Sequence, residues 1–567
     1  TFSMKILRSI RNNIFIVLFA ALFSGMLIVS KHFVLRMDDA FSGHLKNVSI
    51  FDFHWFDVVA WLALTTLLST FLIAVVSVLS KGLARGAARP QSDHAGTAPD
   101  SSQDAIPGGD PRRNKAGGTA FFLAVFAFLL IAWLPYALTF VPFGVFSDTN
   151  SVIRQAIGDK ALTNHHPVLY TFMWRAVYSI GNLLGPEDLY LKIFSALQYL
   201  VAAAVYAYYI FKLRRQNADR IIVLVSALFF AFVPLVPLYV ASLWKDTLFC
   251  LALFAYTLWM TGVVCGHETI YAAGKVPAGH LVSFAVSSLL IIFLRNNGLY
   301  IFIASSAILL LYLLSKYSPR KLLPLTAVFA GILVFSLIIT GPVYDHFGLN
   351  VDEKVETYGI PLQQIAYIDV TDGRISAQDQ AFLDRLIPKE SLKEAYNPLS
   401  VDQTKWHDNF DREFLNRNSS EFLKVYARLV RDNPGKAVKA YCLATFGFWS
   451  TAKTTGNGYV SVRMFYKDKM QQTDWFKKLF GYSIATTLVP RRYISYAALF
   501  WLVLLMFVIL LTKRQYKYLI PFIPSLTGWA TVMAATPVAF SLRYVYFLFL
   551  LQPIFVYLLV LGLRQDQ

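Results

Sequence analysis

The sequence predicts an all-α polytopic membrane protein of about twelve transmembrane helices, with juxtamembrane helices in the first long outer loop and a smaller extracytoplasmic soluble domain. Three observations carry this expectation. Of 567 residues, 56% are hydrophobic and 15% charged, with 47 Phe and 30 Tyr, an apolar surplus that one soluble core would not need. Nearly uncharged windows recur, such as 221–243 and 493–511, each long enough to cross about 30 Å of hydrocarbon as a helix. The formal charge of +18 is gathered in short Lys and Arg clusters between apolar runs, not along one face, so no nucleic-acid partner is expected.

In chain order the apolar runs are 13–30, 56–80, 119–142, 189–212, 221–243, 247–265, 281–295, 298–316, 322–343, 493–512, 518–538 and 543–563. No small-residue cleavage site follows the first, which reads as a retained helix. Basic clusters test the count: Lys5, Arg8 and Arg11; Lys81, Arg85 and Arg89 with Arg112, Arg113 and Lys115; Lys212, Arg214, Arg215 and Arg220; Lys316, Arg320 and Lys321; Lys513, Arg514 and Lys517. All fall in alternate loops, which makes those loops and both termini cytoplasmic and the intervening loops outer.

This divides the chain into two leading helices over 4–89, a linker over 90–118, a transmembrane core over 119–343 with an outer loop at 143–188, an extracytoplasmic domain over 344–490, and C-terminal helices over 491–567. The linker is rich in Pro, Gly, Ser and Asp and is expected to be disordered. In the outer loop, the half-apolar stretch His166 to Ile180 begins at Pro167 and holds Arg175. Crossing the membrane there would put the Lys212 to Arg220 cluster outside, so an interfacial or re-entrant helix is expected. The 344–490 segment has most of the acidic residues and enough length for its own small core. Within it, Phe422, Val425, Tyr426 and Leu429 recur on one helical face opposite Lys424, Arg428 and Arg431. After Asn433 and Pro434 the sequence KAVKAYCLATFGFWS is too short to span and reads as lying on the outer membrane surface. Cys250, Cys265 and Cys442 imply no disulfide framework.

Function is expected where outer-facing helix ends hold polar residues that lipid would not tolerate. Asp148 and Arg154 follow the third run in GVFSDTNSVIRQ; Asp148 or Ser147 would alternatively cap a helix starting near Val152. His165 and His166 precede Pro167, and as neighbours they suit phosphate or hydroxyl contact, or interfacial anchoring, better than a shared zinc ion. Lys245 and Asp246 separate two runs beside Trp244, either as a turn with a local ion pair or as site residues. Arg295, Asn296 and Asn297 interrupt a long apolar run at Gly298, and an Arg at that depth needs an anion. Arg543, followed by Tyr544, opens the last run, where snorkelling is the simpler account. One leading carboxylate with several cations on a single membrane face suits a phosphate-bearing, lipid-linked sugar, with the carboxylate as base for an acceptor hydroxyl.

These residues resemble the C-type glycosyltransferase fold of multi-spanning enzymes that use polyprenyl-phosphate-linked donors. More narrowly, the chain is similar to a large bacterial group labelled glycosyltransferase-like or of unknown function. FSDTN, NHHPVLYT, WKD, RNNG, NPGKAVKAYCLATFGFWS and LRYVY carry the resemblance, which covers most of 119–563. It implies a bacterial cytoplasmic membrane enzyme with its active site on the extracytoplasmic face. Asp148 would be the catalytic base, and Arg154, His165, His166, Lys245, Asp246, Arg295, Asn296, Arg543 and Tyr544 would bind the donor phosphate or substrate. Many such enzymes hold a divalent metal on Asp-X-Asp; here the sequence is Asp148, Thr149 and Asn150, which does not support one. The expected partners are a polyprenyl-phosphate-linked sugar, a cell-envelope glycan or lipid acceptor, and membrane lipids. Direct displacement would invert the anomeric centre. A polymerase or ligase using a polyprenyl-diphosphate oligosaccharide would show similar residues. A transporter or flippase would instead show repeated halves and broken helices near the midplane, and a receptor or scaffold would leave the grouped cations unexplained.

Overall fold

The computed structural model describes residues 12–34, 53–87, 111–186, 188–266, 268–349, 354–452, 475–481 and 495–565, and within these the chain is helical, with no β-strand. Among the described residues, seven helices are long and apolar enough to cross a membrane. Shorter apolar helices occupy Arg220–Phe232, Ala278–Leu294, Gly298–Leu314, Tyr496–Thr512 and Gln552–Arg564. Every expected apolar run thus contains a helix, although length qualifies only the seven.

A leading hairpin, α1 (Ile14–Val34) and α2 (Trp55–Ala87), packs on α17 (Tyr496–Thr512) and α19 (Gln552–Arg564). The main bundle holds α3 (Pro111–Thr139), α6 (Leu189–Arg215), α7 (Arg220–Phe232), α9 (Lys245–Gly266), α10 (Ala278–Leu294), α11 (Gly298–Leu314), α12 (Pro319–Ile338) and α18 (Ile523–Ala535). Of its apolar window, α9 buries 83%, against 17% for α2, so α9 is the central post and α2 lies at the periphery. Arg564 bonds Asp219 at 3.1 Å beside the α6–α7 turn, and Lys321 donates to Ala272 O in the α9–α10 connection.

Several boundaries differ from expectation for local reasons. Residues 111–118 belong to α3 and not to the linker, whose earlier part lies outside the described residues. The run 221–243 is split at Val233 and Pro234 into α7 and α8 (Leu235–Val240), because proline disfavours helical backbone before it and cannot donate within a helix. The last run does not begin as a spanning helix at Arg543: residues Leu542–Tyr544 form a 3-10 turn, Tyr546–Leu550 a short helix, and α19 starts only at Gln552. The α10–α11 break needs Gly298 for space: a Cβ there would lie 1.8 Å from Ile291 O.

The segment 143–188 holds α4 (Ser147–Ile157) and α5 (Val168–Leu184), the latter starting two residues after His166 and running past Ile180. It buries Tyr170, Trp174 and Val177 and exposes Phe172, Leu183 and Leu184. Residues 355–446 build a second hydrophobic core. At its centre is α13 (Gly359–Val370), flanked by α14 (Ala377–Leu386), α15 (Ser419–Asp432) and α16 (Pro434–Ala444). The periodicity read for α15 holds, with Phe422, Val425 and Leu429 buried and Arg428 paired to Asp379 at 2.6 Å. KAVKAYCLATFGFWS is tied to both the second core and the bundle. Its helix α16 buries Ala437, Ala440 and Leu443 against this core, and Phe448 O and Trp449 O accept from Trp529 and Trp501 of the bundle.

Candidate functional site

Between the second core and the bundle, at the start of α9, lies a charged cleft of about 360 Å³. Its geometry begins with backbone. Gly144 N donates to Ala241 O and Leu243 N to Gly144 O, both at 2.9 Å, so the stretch after α3 runs beside the turn after α8. Phe146 stacks on Trp244 with centroids 3.9 Å apart. The turn's carbonyls are then taken up by side chains. Gln198 Nε2 donates to Val240 O and Ser242 O (2.7 and 2.9 Å), Tyr170 Oη and Thr149 Oγ1 to Leu243 O, and Thr247 Oγ1 to Ser242 O. Since buried carbonyls are otherwise costly, this locks the start of α4 against the start of α9. Asp148 and Lys245 are fixed relative to each other as a result.

On the cleft floor, Arg543 Nη1 bonds Asp148 Oδ2 at 2.7 Å, and Arg543 Nη2 donates to Tyr544 Oη at 3.1 Å. Arg295 Nη1 pairs with Asp246 Oδ1 at 3.3 Å and donates to Tyr544 O at 3.2 Å. The Tyr544 ring lies about equally far from both guanidinium groups, 5.0 Å from Arg543 and 5.1 Å from Arg295. Lys245 Nζ donates to His166 Nδ1 at 3.2 Å, which places the ring proton on Nε2. Exposure separates the two carboxylates: the Asp148 side chain is 30% exposed and that of Asp246 2%. Asp148 can reach a bound molecule, whereas Asp246 orients Arg295.

Burial acts to raise the Asp148 pKa, but the neighbouring Arg543 and Lys245 outweigh it and hold the carboxyl well below its usual range. Burial and the neighbouring Lys245 and His165 push His166 well below the usual imidazole range. The floor therefore presents an ionised Asp148, a neutral His166 and three cations.

The second core closes the cleft. Lys405, almost fully buried, is held by Glu356 Oε2 and Asp402 Oδ1, each at 2.9 Å. Burial would lower the Lys405 pKa, but these carboxylates more than offset it and raise it. Trp406 lies under Arg412, 4.8 Å from the ring centroid, and 6.4 Å from the His165 ring. Val401 N donates to Pro537 O and Ala539 N to Leu399 O, at 2.9 and 2.8 Å, which anchors this rim to the segment leading into Arg543.

Of the residues singled out in the sequence, Asp148, His165, His166, Lys245, Asp246, Arg295, Asn296, Arg543 and Tyr544 line this one cleft. Arg154 does not: it is exposed on α4, six residues beyond Asp148 and turned to another face. Asp148 caps no helix, since α4 begins at Ser147 and its Ncap, Phe146, makes no side-chain cap bond. Nor does Arg543 snorkel, because Asp148 and Tyr544 hold it. Sequence reading missed Glu356, Asp402, Lys405, Trp406, Thr531 and Thr536, which also line the cleft. The charges around Trp406 in DQTKWHD were visible, but their nearness to Asp148 was not. Among the described residues no group of three or more His, Cys, Asp or Glu side chains is placed to hold a metal ion.

Residues 154–566 match the model of a family of unknown function (DUF6020). No curated protein and no solved structure matches the chain.

Proposed function

We propose that this chain, which belongs to that family of unknown function, is a C-type glycosyltransferase. In this reading it moves a sugar from a polyprenyl-phosphate-linked donor to a cell-envelope glycan or lipid. The observation that supports it is convergence: Asp148, the 165–166 histidines, the 245–246 turn, the 295–297 break and the 543–544 turn meet on one cleft although far apart in the chain. Lys245, Arg295 and Arg543 suit a lipid phosphate, and Asp148 is the floor carboxylate with access. From the cleft, α9 runs 22 residues toward the connection where Lys321 donates to Ala272 O, and Lys321 belongs to one of the basic clusters. The cation bias makes that end cytoplasmic and the cleft extracytoplasmic. The shorter apolar helices complete twelve crossings in this reading.

The chemistry is a single displacement. The acceptor hydroxyl oxygen attacks the anomeric carbon, and its proton passes to Asp148. The bond from that carbon to the donor phosphate oxygen breaks, and the electron pair leaves on the lipid phosphate, which the floor cations stabilise. Arg543 holds Asp148 ionised but weakly basic; donor phosphate drawing on Arg543 and Lys245 raises its basicity when the acceptor is in place. Inversion at the anomeric carbon follows.

The test is incubation of the purified chain with a panel of polyprenyl-phosphate sugars and cell-envelope acceptors, with mass spectrometry of released lipid phosphate and glycosylated product. Lipid phosphate release with one donor, lost in Asp148→Asn, is the expected result. Release only from polyprenyl diphosphate would move the chain to oligosaccharide transfer, and no release from any donor would remove the enzymatic reading.

A further inference from the structure

The rim contributed by the second core differs chemically from the floor. On the floor, Lys245, Arg295 and Arg543 face Asp148 and Asp246; on the rim, Glu356 and Asp402 share the single cation Lys405. A phosphate belongs on the first and is repelled by the second. Lys405 takes one oxygen of each rim carboxylate, and the other oxygen of Glu356, Oε1, is buried without a hydrogen-bond partner. Such an acceptor calls for an O–H or N–H donor from a bound molecule. Beside it the Trp406 ring is 42% exposed on the cleft wall. A partly exposed indole next to an unpaired carboxylate oxygen matches a molecule with one apolar C–H face and hydroxyls on its edge, as a sugar ring has.

We infer that Trp406, Glu356 and Asp402 form a subsite for a sugar ring of the acceptor glycan, separate from the donor phosphate site. The ring's C–H face lies on the indole, and its hydroxyls donate to Glu356 Oε1 and to Asp402. The subsite connects to the floor through the histidine pair: His165 is 6.4 Å from Trp406 and 4.6 Å from His166, which contacts Lys245. An acceptor sugar on Trp406 thus lies in the same cleft as Asp148. The inference rests on the glycosyl-transfer reading of the same cleft.

The experiment measures binding of uncharged gluco-, manno-, galacto- and arabino-configured tetrasaccharides to the full chain in detergent. Undecaprenyl phosphate binding is measured in parallel. Wild type should bind at least one tetrasaccharide. Trp406→Ala should bind it at least about tenfold more weakly, and Trp406→Phe within about threefold of wild type, because an aromatic face suffices. Glu356→Gln should weaken it about tenfold by replacing a charged acceptor with a neutral one. Undecaprenyl phosphate binding should stay unchanged in all three variants and fall in Arg543→Ala. If Trp406→Ala fails to fold, the Phe and Gln variants decide by the same thresholds. No tetrasaccharide binding, or equal binding by wild type and Trp406→Ala, overturns the subsite alone while lipid phosphate binding persists. Absence of lipid phosphate binding to the wild type counts instead against the transfer reading.

Discussion

At the scale of single residues, the proposed transfer turns on how Arg543 and Asp148 divide their charge. Their 2.7 Å contact keeps the carboxylate ionised yet poorly basic. Asp148→Asn keeps the shape and removes the base. Turnover should fall about 100-fold to 10,000-fold with insertion intact, and near wild-type transfer would leave Asp148 a mere partner of Arg543. Arg543→Gln removes the cation while burial continues to push Asp148 upward. The acid limb of kcat/KM should therefore appear at higher pH than in wild type, and an unmoved limb would show that Arg543 does not set that basicity. His166 predicts a stability effect whose sign follows from its lowered pKa. Above about pH 6.5 both folded and unfolded states are neutral at this ring; below it the unfolded chain takes up a proton that the folded chain refuses, so folding weakens as pH falls. Melting midpoints from about pH 7.5 to about pH 5 should decline less steeply in His166→Asn, which keeps an acceptor for Lys245. Equal slopes would contradict the neutral assignment.

At the scale of elements, the site depends on breaks more than on helices. Pro234 ends α7 early, the turn after α8 gives its carbonyls to Gln198, Tyr170 and Thr247, and α9 then starts with Lys245 and Asp246 in the cleft. The 295–297 break works by close approach, with Gly298 against Ile291 O. Gly298→Ala should force the two helix ends apart and cost about 1–3 kcal/mol, with the damage reaching Arg295. Thermal midpoints and donor binding would check this against Gly331→Ala, where an added Cβ meets nothing within 4 Å. Matching behaviour of the two variants would show that the break has room to spare. The periodicity of α15 is legible because burial follows its apolar stripe, whereas the split of 221–243 is masked by its unbroken apolar composition and signalled only by Pro234 and Pro237.

At the scale of the molecule, two cores share one cleft, and in the proposed topology charge sets the side of the membrane it faces. In a background without native cysteines, Asp100→Cys should stay unlabelled by an impermeant reagent in intact cells. Glu390→Cys, exposed in the second core, should label. The reverse pattern would invert the proposed topology. Placement of the second core over the floor rests on residues 537–539, whose backbone pairs with Leu399, Val401 and Gly447. That segment ties the rim to Arg543.

The sequence by itself determined the helical membrane class and the position of each apolar helix, because hydrocarbon tolerates few structures and demands long uncharged runs. It also marked most of the floor, since a charge such as Arg295 or Asp246 inside an apolar run is conspicuous against its surroundings. Only the tertiary structure decided that Arg543 answers Asp148 and that Arg295 answers Asp246, that Arg154 faces away, and that Glu356, Asp402, Lys405 and Trp406 complete the cleft. In a polar segment charges are ordinary, so nothing local distinguishes Lys405 from an exposed lysine. Asp402 stands one turn away, but Glu356 is 49 residues distant and is brought to Lys405 only by the folding of the second core, a long-range contact that no local periodicity encodes.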